Sequence, residues 1–294
     1  MSNHFQDWHL WSRFREAQKE QILAAGEVAH VALRVRYIDE GEAEKGTVLL
    51  LHGIPTWGYL YHAVIPSLVE TGYRVLAPDF LGHGWSDRRD CFDRSFQDQA
   101  QMIIALLRSL NIQTVNVVGH DTGGAVALIL AIEHQQLLNR LIITNAVCYD
   151  RFDDDMLDFG HPLRWKPRPV ADLVAALEES LSAGLANQER LTPAFREGMI
   201  APWADEEGKL SLLRNASALN ANQTMALVDR HGTITAPTMV LWGRQDPWQK
   251  VEDGRQLASE IPGAVFKELV GVSHWLQQDN PELFIAAVLE FLWP

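Results

Sequence analysis

The sequence predicts an α/β fold built on a mostly parallel sheet with helices on both faces. Three observations carry that prediction. Short, wholly apolar runs alternate with helix-length amphipathic stretches; the alternation stops for a long helical block and then resumes; and one apolar run ends in a turn bracketed by glycines. A strand that is apolar throughout has both faces buried, and a parallel sheet covered by crossover helices is the arrangement that buries both.

In chain order, residues 1–25 read as a surface helix packed by its tryptophans and leucines. The run VAHVALRVRYI at 28–38 alternates and reads as an antiparallel hairpin or bend at the sheet edge. Buried strands are predicted at 47–51 (TVLLL), 73–77 (YRVLA), 114–118 (TVNVV) and 141–144. Helices are predicted between them at 59–70, 95–110 and 123–134; in the second of these Met102, Leu106 and Ser109 or Leu110 share one face. From about 148 to 232 the strand signal disappears. Val170, Leu173, Val174, Leu177 and Leu181 mark one amphipathic helix, Thr192 followed by Pro193 opens a second as N-cap and first helical residue, and a third covers roughly 209–222. Strands at 238–242 and 265–269 and helices at 251–261 and 281–292 restore the rhythm. The expected organisation is a core domain of residues 1–147 and 233–294, with 148–232 inserted as a helical cap over the carboxyl edge of the sheet.

A chain of 294 residues buries roughly 75% of the surface its unfolded form exposes, so its core needs neither disulfide nor metal. Lys and Arg number 25 against 38 Asp and Glu, a net charge of −13, which argues against a broad nucleic-acid or anionic-membrane surface. Cys91 and Cys148 stand apart from any metal-ligand spacing and point to packing roles in a reducing compartment. Charges are scattered through residues 1–30, leaving no apolar leader, and no apolar run approaches the roughly 20 residues of a membrane span. The expectation is a soluble, cytoplasmic protein without cofactor or metal. The acidic cluster Asp150, Asp153, Asp154, Asp155 and Asp158 lacks the glycine turn of a calcium loop and reads as a solvated face.

The chemistry concentrates at VGHDTGG, residues 118–124. Gly119 and Gly123 flank Asp121 at minus two and plus two, the spacing that lets a strained strand-to-helix turn project one side chain above a sheet. An Asp here can also simply cap the following helix. Two later segments favour the nucleophile: LWGRQDPW places Asp246 in the loop after one strand, and VSHW places His274 in the loop after the next. Nucleophile, acid, then histidine at successive strand ends is a catalytic order. HGIPTW at 52–57 lies after the first apolar strand, where the backbone N–H of Ile54 joins that of Thr122 as a candidate oxyanion hole, and a cis Ile54–Pro55 bond is compatible with the turn.

HGIPTWGYLYH, APDFLGHGWSD, VGHDTGG, LWGRQDPW and GVSHW, in that order, resemble the α/β-hydrolase superfamily, specifically its haloalkane dehalogenase and epoxide hydrolase branch, over about residues 28–294. The resemblance implies an eight-stranded, mostly parallel sheet, a helical cap, and catalysis by Asp121, His274 and Asp246. Asn145 follows the 141–144 strand where a glutamate would be the alternative acid, which leaves Asp246. A carboxylate nucleophile is already ionised at neutral pH and displaces a leaving group from saturated carbon without a base; the resulting ester on Asp121 is then hydrolysed by water that His274 activates. Ordinary ester hydrolysis would instead pass through a mixed anhydride.

The chain departs from that branch at Thr122, where Trp is usual, and at Ile54, where many dehalogenases carry Asn or Glu. Its five tyrosines, Tyr37, Tyr59, Tyr61, Tyr73 and Tyr149, leave the segment after 150 without the tyrosines that protonate an opening epoxide. Thr122 also cannot hold a substrate carboxylate as the arginine of fluoroacetate dehalogenases does. Trp57, His161 and Trp165 are the substitute candidates for binding the leaving group, each with packing as the plainer role. The expected partners are a small apolar organic substrate and water, with dehalogenation ahead of epoxide opening. An esterase or lactonase is the next reading, and a non-enzymatic binding protein the least favoured.

Overall fold

The computed structural model describes residues 5–292, so the first four residues of the helix expected over 1–25 lie outside it. Within the rest of that stretch the chain forms a short helix, α1 (Trp11–Ala17), and then an edge strand, β1 (Lys19–Leu23). The expected helix is therefore corrected. KEQIL lacks an apolar run because it is an edge: Leu23 turns into the core while Ile22 and the charged residues face water, as an unpaired strand edge requires. β1 pairs antiparallel with β2 (Leu33–Glu40), which pairs antiparallel with β4 (Arg74–Pro78). The remaining pairs, among β3 (Thr47–Leu51), β4, β5 (Val115–Asp121), β6 (Leu138–Ala146), β7 (Thr238–Gly243) and β8 (Val265–Leu269), are parallel.

The eight strands stand in the order β1-β2-β4-β3-β5-β6-β7-β8. The chain thus leaves β3 toward β4 on one side and returns to β5 on the other, which makes the β3/β5 boundary a topological switch point. Loops diverge there and leave a crevice at the carboxyl ends of the strands. Each face of the sheet carries its own apolar cluster: Val48 and Leu50 of β3 point into one, Leu49 and Leu51 into the other.

The crossovers follow local signals. Residues 59–70 divide into a 3-10 turn (Gly58–Tyr61) and α2 (Ile65–Glu70), with proline in the first helical turn. Ser95 caps α3 (Phe96–Ser109) by accepting from Asp98 N. α4 (Thr122–Glu133) is buried from Thr122 to Ile132, which explains a composition apolar on every face. Between β6 and β7 the chain runs through α5 (Asp154–Phe159), α6 (Pro162–Trp165), α7 (Val170–Ala183), α8 (Pro193–Ile200), α9 (Glu206–Ser217) and α10 (Ala221–Met225). Thr192 caps α8 as expected, whereas the helix expected over 209–222 starts three residues earlier, capped by Asp205, and a second cap at Asn220 opens α10. α11 (Val251–Glu260), α12 (Leu276–Asp279) and α13 (Pro281–Leu292) complete the chain. Cys91 and Cys148 are both free, and no helix among the described residues is long and apolar enough to cross a membrane.

Three backbone segments meet where β3 ends. A Cβ at Gly123 would press on the carbonyl oxygens of Leu51 (2.5 Å) and His52, and one at Gly119 would meet Gly123 O at 2.6 Å. Gly123→Ala is expected to destabilise the protein by about 3 kcal/mol, the upper end for overpacking, because backbone carbonyls cannot rotate aside. Urea unfolding measures it; an unchanged midpoint would show that the segments have room to separate.

Candidate active site

Asp121 ends β5 with φ 54° and ψ −124°, a left-sided conformation that a non-glycine residue adopts only under tertiary constraint. The β5–β6 register shifts between His120 and Asp121, so the bulge re-aims the side chain out of the sheet. Its carboxylate does not cap α4. Instead Oδ1 accepts from Ile54 N at 2.9 Å, and the Thr122 N–H bonds the same group. Both donors, with the positive end of the 12-residue α4, stabilise the anion. Gly53 is required beside it, since a Cβ there would overlap the carboxylate. Burial raises the Asp121 pKa above the ordinary carboxylate value, opposed by His274 and the two N–H groups.

The donor loop is held by His52. Its Nδ1 donates to Gly53 O (2.8 Å) and its Nε2 accepts from Phe80 N (3.0 Å), which ties the loop after β3 to the loop after β4. Burial keeps this imidazole neutral, its pKa lowered to about 4. The Ile54–Pro55 bond is cis.

His274 lies on the other side of Asp121, with Nε2 4.0 Å from Asp121 Oδ2 and Nδ1 2.7 Å from Asp246 Oδ2. An ionised carboxylate only accepts, so Nδ1 carries the proton and Nε2 is left as the base. Burial alone would lower the His274 pKa; the charge and hydrogen bond of Asp246, then Asp121 and Asp153, turn the net shift upward. Asp246 is itself held by four donors: Trp248 N (2.8 Å) and Gln249 N (2.9 Å) on Oδ1, and Asn145 Nδ2 (2.6 Å) and His274 on Oδ2.

Asn145, seen in the sequence only as a missing glutamate, is thus a clamp. Its Oδ1 accepts from Gly243 N at 2.7 Å while its Nδ2 fixes Asp246, so it locks the end of β6 to the end of β7. His120, next to Asp121, donates from Nε2 to the carbonyl of His274 at 2.9 Å and fixes that loop from below. Neither role is visible in the sequence, because each partner lies about a hundred or more residues away.

The three leaving-group candidates have the following surroundings. The Trp57 indole is fully buried and donates to Gly198 O at 2.8 Å; that of Trp165 donates to Asp158 Oδ2 at 2.9 Å; His161 is exposed at the start of α6. A buried indole N–H takes a hydrogen-bond partner, and each of these two indoles already donates to one within the protein. The groups that do line the cavity over Asp121 and His274 include Trp248, Gln249, Asp153, Met156 and Ser180. Trp248 and Gln249 follow Asp246 by two and three residues and share its loop, the one signal that marks them in the sequence. Asp153 comes from the cluster read as a solvated face; burial pushes its carboxyl up to about 6. The cavity has a volume of about 20 Å³, room for one water.

Residues 46–281 match the family model described as the alpha/beta hydrolase fold. The chain belongs to the α/β-hydrolase family. It is 31% identical over 278 residues to a haloalkane dehalogenase of Mycobacterium marinum, covering 89% of each chain. It is 25% identical to epoxide hydrolase 4 of Mus musculus, covering 88% of this chain and 76% of that one. Among solved structures it resembles an alpha/beta hydrolase fold protein from Burkholderia ambifaria, with a TM-score of 0.82 and 25% identity over 88% of this chain and 94% of that one. The protein is therefore an α/β hydrolase, with a small-molecule substrate and water as reactants.

The hydrogen-bond pattern sets the proton affinity of this hydrolase's histidine. An NMR titration of His274 is expected to show a midpoint above the ordinary histidine value of 6.5, and Asp246→Asn is expected to lower it, since burial then opposes the charge with less compensation. An unmoved midpoint would mean that Asp246 does not govern His274.

Proposed function

We propose that this α/β hydrolase cleaves a bond at saturated carbon through an alkyl ester on Asp121, with a carbon–halogen bond as the preferred target. The observation that carries the reading is the split environment of one carboxylate: Oδ1 is held by Ile54 N–H, while Oδ2 faces His274 Nε2 across 4.0 Å. Oδ2 attacks carbon, the leaving group departs with the bonding pair, and an ester forms without proton transfer. His274 Nε2 then takes a proton from water, whose oxygen adds to the carboxyl carbon of Asp121. The negative charge develops on the oxygen that Ile54 holds, with the Thr122 N–H on the same carboxyl group. Backbone donors so placed are worth about 10²–10³ in rate each, and a positioned general base about 10²–10⁴. Collapse of the intermediate breaks the bond to the alkyl oxygen, which leaves as the alcohol with the proton from His274, and the other proton of the water passes to solvent as the Asp121 carboxylate is restored.

The similarity to haloalkane dehalogenases supports halide as leaving group. Trp248 and Gln249 line the cavity over Asp121 and take the place of Trp57, His161 and Trp165 as the residues to hold the leaving group. Residues 148–232 act as a cap: Met156 and Ser180 close the cavity, and Trp203 donates to Pro55 O at 2.8 Å across the join. A cavity of about 20 Å³ admits substrate only when that cover or Trp248 moves. Asp153 favours a second reading, an epoxide, because a carboxyl with raised pKa in the same cavity can protonate a leaving alkoxide.

His274→Gln is expected to gain the mass of one alkyl group on exposure to a reactive bromoalkane and to stall, with the group mapped to Asp121, while Asp121→Ala gains none. Intact-mass analysis checks it. An unmodified His274→Gln protein beside an active wild type would contradict the ester scheme. Diol from terminal epoxides without halide from bromoalkanes would move the assignment to the second reading.

A further inference from the structure

A second cavity, also about 20 Å³, lies behind the two backbone donors. Ile54 and Thr122 form one end, with Ile54 shared between the two cavities, and Arg94, His83, Asn215 and Phe96 contribute to the rest. The guanidinium of Arg94 is part-buried and has only neutral hydrogen-bond acceptors. Nη1 donates to Asn215 Oδ1 and to Ser211 Oγ (3.3 Å), Nη2 to the carbonyls of Arg88 (3.2 Å) and Arg89 (3.1 Å). The fifth donor, Nε–H, is buried without a partner.

The neighbouring acids are engaged elsewhere. Asp87 pairs with Arg89, Asp90 with Arg214, and Asp93 accepts from Ser95 N. Burial, then Arg214, draws the Arg94 pKa down to about 10 against the more distant charges of Asp90 and Asp87, which leaves it cationic at neutral pH. His83 is buried and held neutral, so it neither adds to nor cancels that charge. A cation partly withdrawn from water with no carboxylate bonded to it is unfavourable, and the free N–H marks where an acceptor is lacking. Arg94 also lines an open groove of about 470 Å³ on the outside, bordered by the acids Asp90 and Asp93 as well as by Lys166 and Arg214, so it stands between solvent and the inner cavity.

We propose that Arg94, with His83 and Asn215, forms a subsite for a monovalent anion beside Thr122, in the cavity that shares Ile54 with the one over Asp121. Resting on the hydrolase reading above, this makes the preferred substrate a halogenated acid whose carboxylate reaches Arg94; the same chemistry also suits the halide set free by the reaction. The cation comes from the loop before α3 and does not depend on the residue after Asp121.

The test compares straight-chain ω-bromo carboxylates with bromoalkanes of equal length, on the wild type, Arg94→Gln and the charge-keeping Arg94→Lys. The wild type is expected to favour the acid about tenfold in kcat/KM at one chain length. Arg94→Gln is expected to lose about tenfold in that acid-to-alkane ratio, and Arg94→Lys to keep most of it. In parallel, bromide and acetate are titrated at constant ionic strength and followed by tryptophan fluorescence, Trp203 lying 6.0 Å from His83. Bromide binding that weakens in Arg94→Gln, without preference for the acid, would support the subsite with the released halide as its ligand. If Arg94→Gln does not fold, wild-type preference kept by Arg94→Lys supports the proposal and absence of both preference and anion binding overturns it. Turnover of bromoalkanes with neither acid preference nor Arg94-dependent anion binding would overturn the subsite and leave the hydrolase reading standing. Arg94-dependent anion binding with no turnover of any bromo compound would do the reverse.

Discussion

The close approach of the β3 end to the turn after β5 is the constraint on which the site depends. Gly53, Gly119 and Gly123 have no side chain because backbone or the Asp121 carboxylate occupies the space. That approach brings Ile54 N–H to 2.9 Å from a carboxylate on a different strand, sets Asp121 at φ 54°, and points it at the start of α4. The strand order makes it possible, since β3 and β5 are neighbours at the point where the chain reverses its winding. Strain at one residue is held by many ordinary contacts: α4 is buried almost throughout, and β5 is buried at every position.

Around that turn, buried ionisable groups are held in one state by neighbours rather than by solvent. Asp246 accepts from four donors, which fix its carboxylate where it orients His274. His52 and His120 are buried imidazoles kept neutral, one bracing the donor loop and the other the histidine loop. Asp79 plays a comparable structural part: it accepts from Gly58 N, Trp85 N and Gln18, and fastens the end of β4 to the segments packed on it. Arg94 differs from all of these, because its charge meets only neutral acceptors.

What the sequence made legible follows from how local each signal is. Apolar runs marked β3, β4, β5 and β7 to within a few residues, since a strand buried on both faces needs nothing but apolar side chains. Paired glycines marked the turn at Asp121, and Thr192 before Pro193 marked a helix start, because caps and strained turns are written in neighbouring residues. β1 was not legible: its pairing with β2 is a tertiary fact and its side chains are those of a solvated edge. The indoles of Trp57 and Trp165 were assigned to the site by position, yet their partners Gly198 and Asp158 are set by how the helices pack. Asn145 and His120 work through contacts 101 and 154 residues distant, beyond any local pattern.

The central claim is that the oxygen of the product comes first from the protein and only afterwards from water. A single turnover in ¹⁸O-labelled water, with enzyme in excess over a bromoalkane, separates the two routes. Attack of water on the ester carbonyl places the label in the carboxylate of Asp121 and releases alcohol carrying unlabelled oxygen. The account predicts that result, with the label found in the peptide containing Asp121. Labelled alcohol in the first turnover, with an unlabelled Asp121, would show that water attacks the substrate directly and would contradict it.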